Sequence, residues 1–394
     1  MTLTYSARSR AIEPFHVMAL LQRANELEAT GHDVIHLEIG EPDFNTAEPI
    51  IQAGQAALAA GHTRYTAALG LPALREAIAG FYAVRYGVDI SPGRIMITPG
   101  GSGALLMASS LLVDPGKHWL LADPGYPCNR HFLRLVEGDA RLVPVGPADN
   151  YQLTADLVAR NWSEDSVGAL VASPANPTGT VLSLEELTEL SQALKVRGGH
   201  LVVDEIYHGL TYGIDAPSVL EVNNDAFVLN SFSKYFGMTG WRLGWLVAPE
   251  AAVPELEKLA QNIYISAPTL SQYAALACFE PETIDILEAR RAEFARRRDY
   301  LLPALRALGF KIEVEPQGAF YLYADVSGFG GDAFDFCRHF LETEQVAFTP
   351  GLDFGRSGAD QHVRFAYTQN VPRLQQAVER IARGLKTWKA RHAI

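Results

Sequence analysis

Polar residues capable of chemistry stand directly after four apolar runs of the sequence. AFVLN is followed by SFSKYFGMTGWRLG, with Lys234 in the loop and Arg242 eight residues later. HLVVD ends in Asp204, with Glu205 and Tyr207 just beyond. In open α/β sheets, ligands bind at the carboxyl ends of the strands, so these residues are candidates for a site. On position alone, Lys234 could equally be an ordinary solvated lysine, and Asp204 could cap a helix.

The other two groups contain glycine and proline. RIMIT is followed by PGGSGALL, a glycine-rich turn that opens a helix, and the backbone N–H groups and dipole of such a helix end suit a phosphate. A tight turn with Ser102 as helix cap would explain the same residues. GALVA is followed by SPANPTG, where two prolines and a glycine fix an irregular loop and hold Asn176 rigidly.

The elements that must position these residues are short apolar strands that alternate with helices. From about residue 94 the near-continuous apolar runs are RIMIT, WLLA, RLVPV, GALVA, HLVVD, AFVLN and RLGWLV. Such runs indicate burial on both faces of a sheet. Helical periodicity lies between several of them, as in SLEELTELSQALKVRG, where Ser183 and Glu186 form a capping box. The pattern predicts an α/β fold, with a mostly parallel sheet wrapped by helices.

The pattern changes after residue 290. A charged helix, EARRAEFARRRDYLLPAL, is followed by the shorter strands KIEV, FYLY, VAF and HVRF, which predicts a smaller α+β domain. The first 45 residues contain a helix, VMALLQRANELEAT, but no strand series of their own. We therefore expect a large domain over residues 46–289, and a small domain built from residues 1–45 together with residues 290–394.

Composition excludes several classes of function. The 394 residues are 48% hydrophobic with a formal net charge of -12, and no Lys or Arg run is long enough to follow a nucleic-acid backbone or an anionic membrane. Cys128, Cys278 and Cys337 are an odd number without metal-ligand spacing, which argues against a disulfide framework or a zinc site. The N-terminus lacks the apolar core of a signal peptide. We expect a cytoplasmic enzyme with no membrane or nucleic-acid partner.

Together these segments resemble the class I (class I/II) pyridoxal-phosphate-dependent aminotransferases of fold type I, in the branch that contains bacterial aspartate, aromatic and kynurenine aminotransferases. The ordered motifs cover most of the chain: LEIGEPDF (37–44), TRYTAALGLPALREAI (63–78), PGGSGAL (99–105), DPGYPCN (123–129), SPANPTG (173–179), DEIY (204–207), SFSKYFGMTGWRLG (231–244) and VRFAY (363–367). The resemblance implies a mostly parallel seven-stranded sheet with a smaller α+β domain. It also implies transfer of an amino group from an L-amino acid to a 2-oxo acid by a ping-pong mechanism.

The resemblance assigns catalytic roles around pyridoxal 5'-phosphate (PLP). Lys234 would form the Schiff base with the cofactor and then shuttle a proton. Asp204 would pair with the pyridine nitrogen and keep it protonated, so that the ring can accept electrons. Asn176 and Tyr207 would hydrogen-bond the phenolic oxygen of the cofactor, and Tyr126 would stack on its ring.

The resemblance also assigns the phosphate of the cofactor to several residues of the chain. These are Gly101, Ser102, Gly103, Ser231, Ser233 and Arg242, the last through a bidentate guanidinium. Tyr65 in RYTAALG matches a tyrosine that reaches across a two-fold interface to the phosphate of the neighbouring subunit. If that role carries over, the working unit is a homodimer with shared active sites.

The resemblance also implies that the substrate is an amino acid or a 2-oxo acid. Arg364 corresponds to the arginine that binds the α-carboxylate, with help from Asn176 and the backbone of Gly40. Members selective for aspartate often carry a lysine directly after the glycine pair of the phosphate loop, where this chain has Ser102, so aspartate selectivity is doubtful. Candidates for an apolar side-chain pocket, each of which could equally be core, are Phe15, Met18, Phe320 and Tyr323.

Two other functions use the same motifs. A C–S β-lyase or a decarboxylase on this fold would keep Lys234, Asp204 and Arg242 and break a different bond. Release of pyruvate and ammonia from a cysteine conjugate would identify the lyase. A regulator that senses an amino acid or the cofactor is the non-enzyme alternative. Such proteins usually add a DNA-binding domain, and the first 45 residues are too few and insufficiently basic to form one.

Overall fold

The computed structural model describes residues 3–392, in which helices cover both faces of a central sheet. The α-helices in this part of the chain are α1 (Ala7–Ala11), α2 (His16–Ala29), α3 (Glu48–Ala59), α4 (Pro72–Tyr86), α5 (Gly100–Leu112), α6 (Cys128–Leu135), α7 (Ala155–Asn161), α8 (Leu184–Lys195), α9 (Val253–Ile263), α10 (Thr269–Ala275), α11 (Pro281–Ala307), α12 (Ala333–Glu344) and α13 (Val371–His392). None of the helices within residues 3–392 combines the length and apolar character that a membrane crossing requires.

The strands form one large sheet and two small ones. They are β1 (Ile35–His36), β2 (Ile95–Thr98), β3 (His118–Asp123), β4 (Asp139–Pro144), β5 (Ser166–Ala172), β6 (His200–Asp204), β7 (Phe227–Ser231), β8 (Gly244–Val247), β9 (Tyr321–Asp325), β10 (Val346–Ala347), β11 (Thr349–Pro350) and β12 (His362–Ala366). The large sheet has the order β2-β8-β7-β6-β5-β3-β4, and β8 is antiparallel to both of its neighbours while the other pairs are parallel. The prediction of a mostly parallel seven-stranded sheet is confirmed.

Burial on both faces explains why these strands are apolar throughout. Successive residues of β6 alternate between two separate apolar clusters, with Leu201 and Val203 in one and Val202 in the other. Each cluster is completed by helices on its own side of the sheet. The capping box predicted for α8 is also present, because Glu186 N donates to Ser183 Oγ (3.2 Å) and Ser183 N donates to the Glu186 carboxylate (2.7 Å).

The C-terminal third contains the small sheets. A three-stranded sheet has the order β11-β12-β9, and β1 pairs in parallel with β10. Three of the four predicted short strands therefore form. The prediction of a fourth strand at KIEV is wrong, because Lys311 makes only an isolated bridge with Asp325. This segment is confined between the turn at Gly309, where φ is +100°, and Pro316, which leaves little room for a paired strand.

The N-terminal segment is tied to this region through β1, which lies opposite β10. The predicted boundary at residue 290 falls inside the 27-residue helix α11. The division into residues 46–289 and residues 1–45 plus 290–394 stays a prediction.

One ion pair fixes the N-terminal loop that precedes α3. Asp43 accepts from both Nη atoms of Arg297 on α11 (2.7 and 3.0 Å), and the Arg297 side chain is only 2% exposed. Glu293 accepts from Arg297 Nε at 3.0 Å. A guanidinium removed from water requires such partners, so the pair holds this loop against α11.

Asp43→Asn should therefore lower the free energy of unfolding by about 2 kcal/mol, because Arg297 loses a bidentate charged partner while buried. The matched control is Asp165→Asn, which breaks the exposed pair with Lys117 (2.7 Å) and should cost less than about 1 kcal/mol. Denaturant unfolding of the three proteins measures both values. Equal losses in the two variants would contradict a structural role for the Arg297 pair.

Candidate active site

A cavity of about 460 Å³ opens at the carboxyl ends of the central strands. β6 ends there in Asp204, β7 ends in Ser231 shortly before Lys234, and β12 brings Arg364 from the small sheet. The cavity brings together most of the residues predicted from the sequence: Gly40, Gly101, Ser102, Tyr126, Asn176, Asp204, Tyr207, Ser231, Ser233, Lys234, Arg242 and Arg364. The structure does not place Gly103 or Tyr65 in its lining.

Lys234 is suited to act as an uncharged amine. Its Nζ donates to the backbone oxygen of Gly40 at 2.7 Å. Burial lowers the pKa of Lys234 to about 8, and the nearby Glu41 carboxylate only partly opposes this effect. Because a lower pKa increases the neutral fraction near pH 7, the amine is available as a nucleophile or base.

Asp204 is a shielded carboxylate with a vacant acceptor position. Ile206 N donates to Oδ1 at 3.0 Å and is the one hydrogen-bond donor that residues 3–392 provide. Asp204 therefore closes a turn, and the alternative explanation that it caps a helix is wrong. Burial raises the pKa of Asp204 to about 6. A carboxylate held in this way suits a cationic ring N–H, since an added positive charge would compensate for the lost hydration.

One end of the cavity is a receptor for an anion. The Arg242 guanidinium lies against the start of α5, so that a Cβ added at Gly100 would lie 2.8 Å from Nη2. Arg242 Nη1 donates to Thr239 O at 3.0 Å, and the backbone of Arg242 has a φ of +52°, a conformation rare outside glycine. The guanidinium and the N-terminal end of α5 are both positive and face each other. A phosphate bound between them would neutralise both positive charges.

The glycine-rich turn and two serines complete this end. α5 begins at Gly100 directly after β2, so Ser102 lies in the first turn and the alternative that it caps the helix is wrong. Gly103 N already donates to Pro99 O at 3.3 Å, and a Cβ on Gly103 would lie 2.7 Å from Pro99 Cδ. Ser231 Oγ donates to Ser233 Oγ at 2.9 Å. The serines thus form a connected pair beside the turn.

Arg364 forms a second anion receptor. It is 5% exposed, and its hydrogen-bond partners in the described part of the chain are neutral: Asn176 Oδ1 (3.0 Å), Glu38 O (2.7 Å) and Thr349 Oγ1 (3.4 Å). Its Nε has no partner there. A shielded guanidinium without a carboxylate partner suits the carboxylate of a ligand.

The remaining predicted groups lie between the two anion receptors. Tyr207 and Tyr321 share a hydrogen bond between their hydroxyls at 2.9 Å. Asn176 offers its carbonyl oxygen to Arg364, which leaves its amide N–H groups free for a ligand. Tyr126 exposes 38% of its surface at the cavity wall. A Cβ on Gly40 would lie 2.7 Å from the Tyr321 hydroxyl, so this close approach requires glycine.

The structure corrects the predicted side-chain pocket. Phe15 and Met18 line the cavity, but within residues 3–392 Phe320 and Tyr323 do not. Phe320 packs on Phe294 in the core (5.5 Å between ring centroids), and Tyr323 stacks on the ring of His362 (4.7 Å).

Sequence analysis missed several residues of the site. Tyr321, Asp353 and Phe354 line the cavity, and the Arg364 guanidinium lies 4.2 Å from the Tyr321 ring centroid and 4.7 Å from that of Phe354. Tyr321 and Tyr323 are two residues apart on β9, so strand alternation alone could not separate them. Asp353 and Phe354 follow β11 in a turn without a recognisable motif.

These groups fit PLP. The cofactor has a phosphate, a ring nitrogen and an aldehyde, and the cavity provides an anion receptor, a carboxylate with a vacant acceptor position and an amine of lowered pKa. The second receptor, at Arg364, is chemically suited to a further carboxylate. The arrangement can therefore hold the cofactor and the substrate together.

Comparison with known proteins gives the same result. The family model for aminotransferase class I and II matches residues 32–381. The valine–pyruvate aminotransferase of Mycobacterium tuberculosis is 38% identical over 94% of this chain and 96% of its own, and the aspartate aminotransferase of Thermotoga maritima is 34% identical over 95% and 98%. A crystal structure of an aminotransferase from Mycobacterium tuberculosis has a TM-score of 0.95 at 37% identity, covering 98% of this chain and all of that one. The relatives are named as aminotransferases, which does not favour the lyase alternative. The chain belongs to the class I and II aminotransferases, and is a PLP-dependent enzyme that transfers an amino group from an amino acid to a 2-oxo acid.

Proposed function

We propose that this aminotransferase acts on L-amino acids with apolar side chains and works as a homodimer. The observation that carries the substrate class is the apolar wall of the cavity. This wall is defined by four residues at the start of α2, namely Phe15, Val17, Met18 and Leu21. It suits a substrate side chain without charge.

The charges of the cavity support the same class. The cations that line it in the described part of the chain are Lys234, Arg242 and Arg364, and each has a role with the cofactor or the α-carboxylate. Glu38, Glu41 and other carboxylates also line it. A side-chain carboxylate would therefore find no free cation and would be repelled, which favours donors such as valine over aspartate. The name of the Mycobacterium tuberculosis relative, a valine–pyruvate aminotransferase, supports this assignment.

The cofactor residues keep their predicted roles in this proposal. PLP, when bound, supplies an electron sink for the pair released as the Cα–H bond of the substrate breaks. Asp204 would keep the ring nitrogen protonated, and Tyr207 and Asn176 would hydrogen-bond the phenolic oxygen while Tyr126 would cover the ring. Arg242 would bind the phosphate together with Gly101, Ser102, Ser231 and Ser233. We propose that Gly103 supports the turn rather than donating, since its N–H is engaged with Pro99.

Lys234 moves the proton. Arg364 binds the α-carboxylate with help from Asn176 and Gly40, and so orients the substrate with its Cα–H bond toward Lys234. With the cofactor bound, the uncharged Nζ of Lys234 would accept this proton and would return it at C4' of the cofactor. The same groups act in reverse order on the 2-oxo acid of the second half-reaction.

The proposal also covers the homodimer, the division of the chain into domains and the location of the enzyme. The side chain of Tyr65 is outside the cavity of its own chain, and Tyr65 is 77% exposed, as expected of a residue that serves a neighbouring subunit. We propose that the small domain comprises residues 1–45 with 290–394, a proposal that the pairing of β1 with β10 supports. Three free cysteines are compatible with a cytoplasmic location.

The first prediction concerns the amino donor. PLP-loaded enzyme mixed with single donors should convert L-valine and L-leucine with kcat/KM values about tenfold above that of L-aspartate, because the apolar wall provides no cation. The change in cofactor absorbance measures each half-reaction. Met18→Lys should raise the rate with aspartate relative to valine, whereas Val196→Lys, an equal charge change at a 79% exposed position outside the cavity, should not. Aspartate as the best donor of the unmodified enzyme would contradict the proposed class.

The second prediction concerns the amine of Lys234. Cofactor-free enzyme should capture PLP covalently at a rate that rises with pH through about 8, because only the neutral amine attacks and burial lowers its pKa. The rate for a free lysine analogue should keep rising toward pH ~10. Stopped-flow absorbance follows both reactions, and Lys234→Ala should show none. Identical pH profiles for enzyme and analogue would argue against the lowered pKa.

The third prediction concerns the shared site. Tyr65→Phe should release PLP several-fold faster on dilution, because the phosphate loses a hydroxyl from the neighbouring subunit. Tyr5→Phe is the matched control, since Tyr5 is also exposed (61%) and carries no predicted role. Cofactor loss is followed by absorbance after gel filtration, with sedimentation velocity for the oligomeric state. Full activity of a monomer would refute the shared site.

A further inference from the structure

The first turn of α2 is held by a side chain from a distant part of the sequence. Asp353 Oδ1 accepts from His16 N at 2.6 Å and Oδ2 accepts from Val17 N at 2.8 Å. Phe15, the residue at the N-cap position, provides no side-chain hydrogen bond of its own. Asp353 is 3% exposed and thus replaces the missing local cap with a shielded carboxylate.

The turn that Asp353 holds carries the apolar wall. Phe15, Val17, Met18 and Leu21 line the cavity from this end of α2. The buried residues of α2 in contrast are Leu20, Ala24 and Leu27, further along the helix. Met18 is 53% exposed. Core packing therefore anchors the middle and the end of α2. Its first turn is held by the two hydrogen bonds to Asp353 and by an edge contact between the rings of His16 and Phe334 (6.0 Å between centroids).

Asp353 also stands next to the receptor for the substrate carboxylate. It lines the same cavity and directly precedes Phe354, whose ring centroid lies 4.7 Å from the Arg364 guanidinium. The carboxylate thus connects the wall that faces the substrate side chain with the turn beside the group that binds the α-carboxylate.

We propose that Asp353 is a positioning residue that determines the preference of the enzyme among apolar substrates, by fixing the first turn of α2 at a set distance from Arg364. This inference rests on the proposed substrate class and deepens it. A purely structural cap would affect stability alone. A positioning cap also changes the ratio of activities between long and short side chains, because only long side chains reach the wall.

Two variants weaken the hydrogen bonds of this turn, one by changing the acceptor and the other by removing a donor. Asp353→Asn leaves one acceptor oxygen and turns an N–H donor toward the backbone N–H of α2, so one of the two hydrogen bonds is lost. His16→Pro removes the donor at the first helical position, where proline is well tolerated, and the extended conformation of Phe15 (φ -70°, ψ 132°) suits a residue before proline. His16 does not line the cavity. If one variant fails to fold, the other decides the question.

Ser183→Ala is the matched control. It removes the capping side chain of α8, whose residues lie outside the cavity, so it should lower the melting temperature without changing selectivity. The measurement is kcat/KM of PLP-loaded enzyme with L-leucine and L-alanine, together with thermal unfolding. We expect the leucine-to-alanine ratio to fall about fivefold in Asp353→Asn and His16→Pro, and to stay within about twofold of the unmodified value in Ser183→Ala.

Different results would contradict the role of Asp353 and the proposed substrate class. A leucine-to-alanine ratio that is unchanged in both folded variants, in an enzyme that prefers apolar donors, overturns the role of Asp353 alone. A preference of the unmodified enzyme for aspartate overturns the proposed substrate class, and this inference with it.

Discussion

Shielding two ionisable side chains from water at one edge of the sheet is the constraint on which this active site depends. Burial raises the pKa of Asp204 from 3.8 to about 6 and lowers that of Lys234 from 10.5 to about 8. For Asp204 the folded-state pKa lies above the unfolded one, so its ionised form opposes folding increasingly as the pH rises through this window. For Lys234 the folded-state pKa lies below the unfolded one, so its protonated form opposes folding increasingly as the pH falls from about 10.5 to about 8. The rest of the fold must stabilise both groups in place.

The central sheet provides that stability. β6 and β7 are neighbours, and their residues alternate between two apolar clusters, so the strand ends that carry Asp204 and lead to Lys234 cannot move independently. A bound cofactor would add the missing partners, namely a ring cation for Asp204 and a carbonyl carbon for Lys234. The same reasoning applies to Arg364, whose partners in the described part of the chain are neutral, and for which a substrate carboxylate would be the missing partner. Charges left unsatisfied by the protein thus specify what the site binds.

Sequence patterns predicted the parts that obey local rules. Continuous apolar runs predicted every strand of the large sheet, and ordered motifs predicted twelve of the residues that line the cavity. Local rules failed where the deciding contact was distant. Tyr321 and Tyr323 are the same residue type on the same strand, and distant contacts separate them, because Tyr321 bonds Tyr207 whereas Tyr323 packs on His362 and Tyr151. Asp353 lies more than 300 residues from the helix that it caps, and no local spacing could reveal that contact. Ser102 resembled a cap, but the short connection from β2 placed the start of α5 two residues earlier.

The central claim is that Lys234 holds the cofactor within this constellation of shielded charges. The most direct measurement is borohydride reduction of the PLP-loaded enzyme, followed by proteolysis and mass spectrometry of the peptides. The account predicts a phosphopyridoxyl group on the peptide that contains Lys234, at close to one per chain. Attachment at a different lysine, or a loaded enzyme without any attachment, would contradict it.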